Sequence, residues 1–121
     1  MSERPQLLYC QDILESGAAI MSYVQGVLFD AFVHDRMCYS AVIREFEIIG
    51  EAVGKLPKTS KDGYPGIPWQ DIKDFRNLLA HEYFGVDLEI VWNTIHNELP
   101  ILMDAVQKIQ MEAVKARSEG N

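Results

Sequence analysis

The chain has 121 residues, of which 48% are hydrophobic and 24% charged, and these proportions are typical of a globular domain with one core. No apolar run approaches the roughly 20 residues that cross a bilayer, and the first residues lack the basic and then apolar layout of a signal peptide. We therefore expect one cytoplasmic domain over residues 1–121, with a core from about residue 5 to about residue 115 and a frayed C-terminus.

The net charge excludes this chain from the class of proteins that wrap nucleic acid through overall positive charge. The chain has 11 Lys and Arg against 18 Asp and Glu, for a net charge of −7, whereas a phosphate backbone attracts positive charge. An RNA-cutting site needs only local positive charge, so it is not excluded. The acidity would also suit a basic protein partner.

The two cysteines, Cys10 and Cys38, have neither CxxC spacing nor a His/Cys cluster around them. Both lie on apolar stripes with helical spacing, and cysteine is among the residue types most often buried. We expect two reduced core thiols rather than a disulfide or a metal site.

Hydrophobic periodicity predicts two helices in the first half of the chain. The first runs from about Pro5, which suits a first helical turn, to Leu28. The second runs from about Asp35, a candidate N-cap, to Val53, and Gly54 is placed to stop it. The predicted core face of this second helix carries residues at intervals of three and four, namely Cys38, Val42, Phe46, Ile49 and Val53.

A basic loop with three lysines follows, between residues 55 and 67. Two prolines, two glycines and an Asp-Gly pair predict that this segment contains no helix. The third helix begins at Pro68, a favoured first position, and runs to about Tyr83. Gly85 is well placed to end it.

Asp87 is placed to cap a fourth helix. Pro100 lies inside that helix and predicts a bend, because proline removes a backbone hydrogen bond and crowds the preceding turn. Residues from about Ala116 onward are expected to fray. Four amphipathic helices with mostly short connections predict an all-α antiparallel four-helix bundle, with one long loop between helices two and three.

The most informative segment lies in the third predicted helix, where the chain reads Arg76-Asn77-Leu78-Leu79-Ala80-His81-Glu82-Tyr83. A guanidinium offers fixed donors that fit phosphate oxygens. An imidazole can give or take a proton near neutral pH. The combination suits cleavage of a phosphodiester without a metal or another cofactor, with Arg76 and His81 as the candidate catalytic residues.

Helix geometry leaves two ways for Arg76 and His81 to act together. Five residues at about 100° each place them roughly 140° apart on an ideal helix, so they would not grip one phosphate. Either the helix bends or ends near His81, or two copies of the chain meet and bring two histidines and two arginines to one cleft. In that cleft one histidine would take the proton of the ribose 2′-hydroxyl, and the other would protonate the leaving 5′-oxygen. Arg76 would offset charge on the phosphorus oxygens, and the products would be a 2′,3′-cyclic phosphate and a 5′-hydroxyl.

Arg44, Glu47 and Glu51 share the polar face of helix two. Two interpretations stay open for this face. It is a solvated surface with internal ion pairs, or it meets the Arg76 side of helix three and orients the guanidinium, since a buried arginine needs a carboxylate.

The remaining polar residues carry weaker signals. Asn77 is a poor helix former, and its position four residues before His81 predicts a hydrogen bond that sets the imidazole tautomer. His34 is interpreted as a surface cap residue and His96 as a structural residue. We expect no metal site, because the chain has no His-x-x-x-His spacing and no Cys cluster.

Four patches together resemble the HepT toxins among the HEPN-domain ribonucleases. In chain order they are Arg44 to Ala52 (REFEIIGEA), Ile67 to Trp69, the Arg76 to Tyr83 motif with its Arg-x4-His-x-Tyr spacing, and Val86-Asp87 followed by Val91-Trp92 and Leu99-Pro100. The likeness covers about residues 5 to 110, and the four patches in this order are far more specific than the Arg/His motif alone.

The resemblance implies a four-helix bundle, a homodimer with the motif at its interface, and a metal-independent ribonuclease toxin that acts on RNA. It also implies a cognate minimal nucleotidyltransferase as the antitoxin, which can transfer adenylyl groups to the motif tyrosine, Tyr83 here. An adenylate on Tyr83 beside Arg76 and His81 would fill the cleft and block RNA.

A second function stays open beside the ribonuclease. The same bundle would serve as a non-catalytic binding module that docks a nucleotidyltransferase or a nucleotide, and the acidic charge and the short chain favour this somewhat. A docking module needs no ionisable residue at His81, whereas a nuclease does. A dimeric helical scaffold with neither activity is a third interpretation.

Overall fold

The computed structural model describes the backbone of residues 3–81 and 85–119 and the side chains of residues 6–81 and 85–119. All regular structure in these ranges is helical. The seven helices are α1 (Glu3–Tyr23), α2 (Phe29–His34), α3 (Arg36–Lys55), α4 (Lys58–Asp62), α5 (Trp69–His81), α6 (Leu88–Asn97) and α7 (Leu99–Glu119). The predicted all-α class is confirmed. No helix in the described part of the chain is both long enough and apolar enough to cross a membrane.

The four-helix bundle is also confirmed, with α1, α3, α5 and the α6–α7 pair as its members. Helix α1 packs against both α3 and α7, α5 packs on α3, α6 packs on α7, and the short α2 packs on α3. The predicted core face of the second helix is buried at Val42, Phe46, Ile49 and Val53. Cys38, the first residue of that stripe, is only half-buried.

Both predicted aspartate caps are confirmed. Asp35 Oδ1 accepts a hydrogen bond from the Cys38 backbone N–H at 3.0 Å, and Asp87 Oδ1 accepts one from the Glu89 backbone N–H at 2.9 Å. These bonds satisfy N–H groups that have no partner within the helix, and each cap therefore sets where its helix begins.

The ends of the first two long helices differ from the prediction. Helix α1 stops at Tyr23 rather than Leu28, because a turn follows in which Gly26 adopts a φ of 73°, a conformation open to glycine. The chain then forms α2, which the periodicity did not predict. Helix α3 continues past Gly54 to Lys55.

The prediction of a loop without a helix between residues 55 and 67 was wrong, because α4 occupies Lys58–Asp62. Proline and glycine flank this short helix rather than interrupt it, with Pro57 before its first turn and Gly63 after its last. Trp69 anchors the segment, since its indole Nε1 donates to the backbone carbonyls of Lys61 and Tyr64, each at 3.1 Å.

The prediction that Pro100 bends a single fourth helix was wrong. Pro100 instead lies in the first turn of a separate helix. Helix α6 ends at Asn97, Glu98 has φ −117° and ψ −38°, and α7 begins at Leu99. Proline is tolerated in a first turn because its missing N–H would have no partner there. Helix α7 continues past Ala116 as far as Glu119, and the expected fraying of this end stays a prediction.

Candidate active site

Helix α5 crosses α3 at Gly50, and Arg76 lies directly over that glycine. A methyl group built on Gly50 would come within 2.6 Å of Arg76 Cγ and closer still to Arg76 Cβ. Carbon atoms do not approach each other that far, so only glycine allows the two helices to meet here. This role of Gly50 was not predicted from the sequence. A glycine inside a helix costs about 0.5–1 kcal/mol relative to alanine and thereby indicates a packing reason.

The Arg76 guanidinium is held by two side chains and still has free donors. Arg76 Nη2 lies 3.6 Å from Glu51 Oε2, and Arg76 Nη1 donates to Asn77 Oδ1 at 3.3 Å. Arg76 Nε is buried without a hydrogen-bond partner among the described residues. Because the side chain is 34% exposed and a guanidinium has five N–H groups, donors remain for an anionic ligand.

The polar face of α3 shows both of the arrangements that the sequence left open, namely an internal ion pair and a contact with Arg76. Glu51 reaches Arg76 and orients its guanidinium. Arg44 and Glu47 instead form an internal ion pair, with Arg44 Nη1 3.3 Å from Glu47 Oε1. The carboxylate that contacts Arg76 is therefore Glu51, one helical turn beyond Glu47.

His81 is the last described residue of α5, and it is exposed. Helix α5 continues without a break to His81, so the angle of roughly 140° between Arg76 and His81 remains. The predicted hydrogen bond between Asn77 and His81 is not present, because Asn77 bonds to Arg76 instead. Tyr83, the predicted support and modification site, lies outside the described residues.

A cleft of about 830 Å³ opens beside the arginine site, between α3 and the end of α5. We call it the α3 cleft, and its lining residues are Arg36, Tyr39, Ser40, Ile43, Arg44, Glu47, Leu79, Val86 and Leu88. Arg36 and Tyr39 were not predicted as site residues from the sequence. A signal was available, because Arg36, Ser40, Arg44 and Glu47 follow one another at intervals of four, four and three and so share a helix face.

A second cavity of about 330 Å³ is mostly apolar and has a different charge. Its floor comes from α3, at Phe46 and Ile49, and its charged residues are Asp71 and Glu98. Lys and Arg are absent from its described lining, so it offers nothing that matches a phosphate.

The remaining histidines have local partners. His34 Nδ1 lies 2.7 Å from the Asp30 carbonyl oxygen, and His96 Nδ1 lies 2.9 Å from the Trp92 carbonyl oxygen. The rings of His96 and Trp92 also pack together, with their centroids 4.4 Å apart. Both contacts agree with the structural roles expected for His34 and His96. Within residues 6–81 and 85–119 there is no group of three or more His, Cys, Asp or Glu that could hold a metal ion.

The two cysteines are free thiols in different environments. Cys10 is fully buried, as predicted, and burial raises the pKa of its thiol from 9.0 to about 11. Cys38 is half-buried, and its pKa is raised by burial and then by the negative charge of Asp35. Neither thiol contributes to the arginine site.

Comparison with known proteins links this site to a family. The profile of the Ribonuclease HepT-like family matches residues 13–109, which include α3, α5 and the Arg76–His81 motif. The chain belongs to the HepT-like ribonuclease family.

Curated HepT-like relatives cover most of the chain. It is 41% identical over 101 residues to "Putative RNase TTE0752" of Caldanaerobacter subterraneus subsp. tengcongensis, a match that covers 84% of this chain and 90% of the relative. It is 36% identical over 102 residues to "Probable ribonuclease HepT" of Thermococcus cleftensis, covering 84% of this chain and 93% of the relative. No solved structure matches the chain closely enough to be counted as similar.

Proposed function

We propose that this HepT-like chain is the toxin of a toxin–antitoxin pair, a metal-independent endoribonuclease that cuts RNA in the cytoplasm. Arg76 and His81 are its catalytic residues. The observation that carries the proposal is the Arg76 side chain, which remains 34% exposed. It packs over Gly50 of α3, and its Nη2 lies 3.6 Å from Glu51 Oε2. Membership of a ribonuclease family supports an RNA phosphate as the ligand of that guanidinium.

The active unit in this proposal is a homodimer. Because α5 is regular as far as His81, one chain holds Arg76 and His81 on different sides of the helix. A second copy that meets the first at this surface would supply the missing imidazole. Two histidines and two arginines would then share one cleft.

In the proposed reaction the ribose 2′-oxygen forms a bond to phosphorus and the bond from phosphorus to the 5′-oxygen breaks. One His81 accepts the proton of the 2′-hydroxyl, and the partner copy's equivalent imidazole gives a proton to the leaving 5′-oxygen. Arg76 stabilises the negative charge that grows on the phosphorus oxygens. A 2′,3′-cyclic phosphate and a 5′-hydroxyl result.

The antitoxin in the proposed pair is a cognate minimal nucleotidyltransferase. It would neutralise the toxin by adenylylating Tyr83, two residues after His81. The phenol oxygen would lose its proton and form a bond to the α-phosphorus of ATP, and the bond from that phosphorus to the pyrophosphate leaving group would break. The added phosphate would compete with RNA for the donors of Arg76. The net charge of −7 suits a basic surface on such a partner.

A second candidate function is a non-catalytic module that docks a nucleotidyltransferase or a nucleotide. It is favoured by the same acidic charge and by the absence of any described residue that bonds to the His81 imidazole. A catalytic histidine is commonly oriented by a neighbour, and none is seen among the described residues.

The test is growth and RNA integrity after induced expression of the wild type, His81→Ala and Arg76→Ala. His34→Ala is the matched control, because it removes an exposed imidazole at the end of α2. We expect growth arrest and RNA with cyclic-phosphate ends from the wild type and His34→Ala, and neither effect from the other two variants. Purified protein should cut RNA equally well in the presence of EDTA.

Three outcomes would count against the ribonuclease. The first is equal behaviour of all four proteins when each is folded and dimeric, which would favour the docking module. The second is product RNA with a plain 3′-hydroxyl, and the third is a strict requirement for magnesium. If cleavage is found, mass spectrometry of the toxin co-expressed with its partner would test for an adenylyl group on Tyr83.

A further inference from the structure

The α3 cleft combines the groups that bind a nucleotide. It carries the guanidiniums of Arg36 and Arg44 and the phenol ring of Tyr39 beside an apolar floor. Guanidiniums bind phosphate oxygens, whereas aromatic rings and apolar surfaces bind the faces of nucleobases. The volume of about 830 Å³ lies within the range of roughly 300–1,000 Å³ that small-molecule sites occupy.

Tyr39 is held in position by the core. Its ring packs edge-on against Phe32, with the ring centroids 6.3 Å apart and the planes at 68°. Because Phe32 is fully buried, Tyr39 is anchored on its inner side while it lines the cleft. A ring that is fixed in this way loses little conformational freedom when a base stacks on it.

The described lining of the cleft differs in charge from the chain as a whole. Its charged residues among those described are two arginines and one glutamate, whereas the chain has a net charge of −7. Arg44 is paired with Glu47. Arg36 has no ion-pair partner among the described side chains, so its guanidinium is available to a phosphate.

The cleft begins one helical turn from the arginine site on both helices. On α5, Leu79 in the floor follows Arg76 by three residues, and on α3, Glu47 precedes Glu51 by four. One turn is about 5.4 Å. A strand whose phosphate contacts Arg76 would therefore reach the cleft with its adjacent nucleotide.

We infer that the α3 cleft binds one unpaired nucleotide of single-stranded RNA, next to the phosphate held by Arg76. This inference rests on the proposed ribonuclease function, because it names the substrate of the same site. Tyr39 and the apolar floor hold the base, and Arg36 contacts a phosphate. Because neighbouring bases cover the faces of a base in a duplex, the cleft selects single strands over double strands.

The first experiment measures RNA binding by His81→Ala protein, which lacks the proposed acid–base group and leaves the RNA intact. Fluorescence anisotropy gives the Kd for a labelled single strand of about 12 nucleotides, a length that covers typical single-strand sites, and for the same sequence as a duplex. We expect the single strand to bind more tightly. Adding Arg36→Gln should raise its Kd about tenfold and reduce the slope of log K against log salt by about 0.7.

The matched control in the same background is Lys108→Gln, which removes one exposed positive charge from α7, outside the cleft. It should leave the Kd for the single strand unchanged. Tyr39→Leu keeps apolar bulk against Phe32 but removes the stacking ring, and it should also raise the Kd. In the cleavage-competent protein, Arg36→Gln should raise KM for single-stranded RNA and leave kcat within about twofold, because a contact made equally in ground and transition states affects only KM.

Four results would overturn the nucleotide site. Three come from the binding measurements: a Kd that does not change with Arg36→Gln, an equal loss of affinity with Lys108→Gln, and a preference for the duplex. Sedimentation of the same variants gives a fourth: if Arg36→Gln or Tyr39→Leu converts a dimer to monomers, the cleft is an interface between protein chains. The proposed ribonuclease fails separately, when wild-type protein does not cleave RNA, and the binding measurements still report on the cleft in that case.

Discussion

At two helix crossings in this bundle a glycine lies against a side chain of the other helix, and the two crossings differ in which side chain the glycine contacts. At the α1–α7 crossing, a methyl group on Gly17 would meet the side chain of Met103, at 2.7 Å from Sδ and 3.1 Å from Cε. At the α3–α5 crossing, a methyl group on Gly50 would meet Cβ and Cγ of Arg76, next to the backbone of α5. A thioether chain can rotate away, whereas atoms beside the backbone move only if the helix moves.

The comparison separates a crossing that holds two apolar surfaces together from one that positions a charged side chain, which is catalytic in the proposed function. Met103 is an apolar side chain in the packing around the core, so Gly17 only brings two helices together. Arg76 projects from its crossing to an ion pair with Glu51 and keeps one-third of its surface exposed. Gly50 therefore sets both the distance between the helices and the position of a charged group.

The largest effect is expected from Gly50→Ala, which should force α5 away from α3. Overpacking of this kind costs about 1–3 kcal/mol of unfolding free energy. Under the proposed function, displacement of Arg76 should also lower cleavage activity about 100-fold. Gly54→Ala is the control on the same helix, because nothing lies within 4 Å of a methyl group built there. Urea unfolding and RNA cleavage check both variants, and equal behaviour of the two would show that the Gly50 contact is unimportant.

A smaller effect is expected from Glu51→Gln, which keeps the size of the side chain but removes its charge. Since Glu51 is exposed, the ion pair contributes at most about 1 kcal/mol to stability, and a misaimed guanidinium should lower the cleavage rate by about fivefold. Asp104→Asn breaks another exposed ion pair, with Lys108 on α7, and should not affect cleavage. If Asp104→Asn slows cleavage as much, the loss is not specific to Arg76.

The α1–α7 crossing differs from the α3–α5 crossing in a further way, because Cys10, two turns before Gly17 on α1, should make the free energy of unfolding depend on pH. Burial raises the pKa of its thiol from 9.0 to about 11, so the folded chain keeps this proton at a pH where the unfolded chain has lost it. The free energy of unfolding should therefore fall as pH rises from 9 to about 11, with no effect of this thiol below pH 9.

Unfolding curves of the wild type and Cys10→Ala at several pH values test this dependence. Tyrosines and lysines also titrate in this range, so the measured quantity is the difference between the two slopes. A steeper decline in the wild type is expected. Parallel profiles would contradict the assigned effect of burial on the Cys10 pKa.

The smallest effect is expected from Gly17→Ala. The gain in helix propensity of about 0.5–1 kcal/mol offsets most of the cost of moving Met103, so the unfolding free energy should change by less than about 1 kcal/mol. Cleavage should be unaffected. A loss of activity as large as that of Gly50→Ala would mean that the two crossings do not differ as argued.

Local patterns in the sequence predicted much of the bundle. The interval of three and four along α3 located its buried face, and Asp35 and Asp87 marked the starts of two helices, because caps and periodicity act within a few residues. The same local reasoning failed at Pro57 and Pro100. Proline is disfavoured in the interior of a helix but is tolerated in its first turn. A proline in the sequence therefore marks either a helix break or a helix start, and the two are distinguished only when the position of the neighbouring turn is known.

The amino-acid sequence was sufficient to predict the all-α class and to locate the Arg76–His81 motif, and it left open whether Arg76 has a carboxylate partner. It did not determine that Glu51 rather than Glu47 supplies this partner, nor that Gly50 lies under Arg76, nor that Arg36 and Tyr39 line one cleft with Leu79. Those facts depend on the height and angle at which α5 crosses α3. Packing between side chains that are distant in sequence sets that crossing, so it becomes visible only in the folded chain.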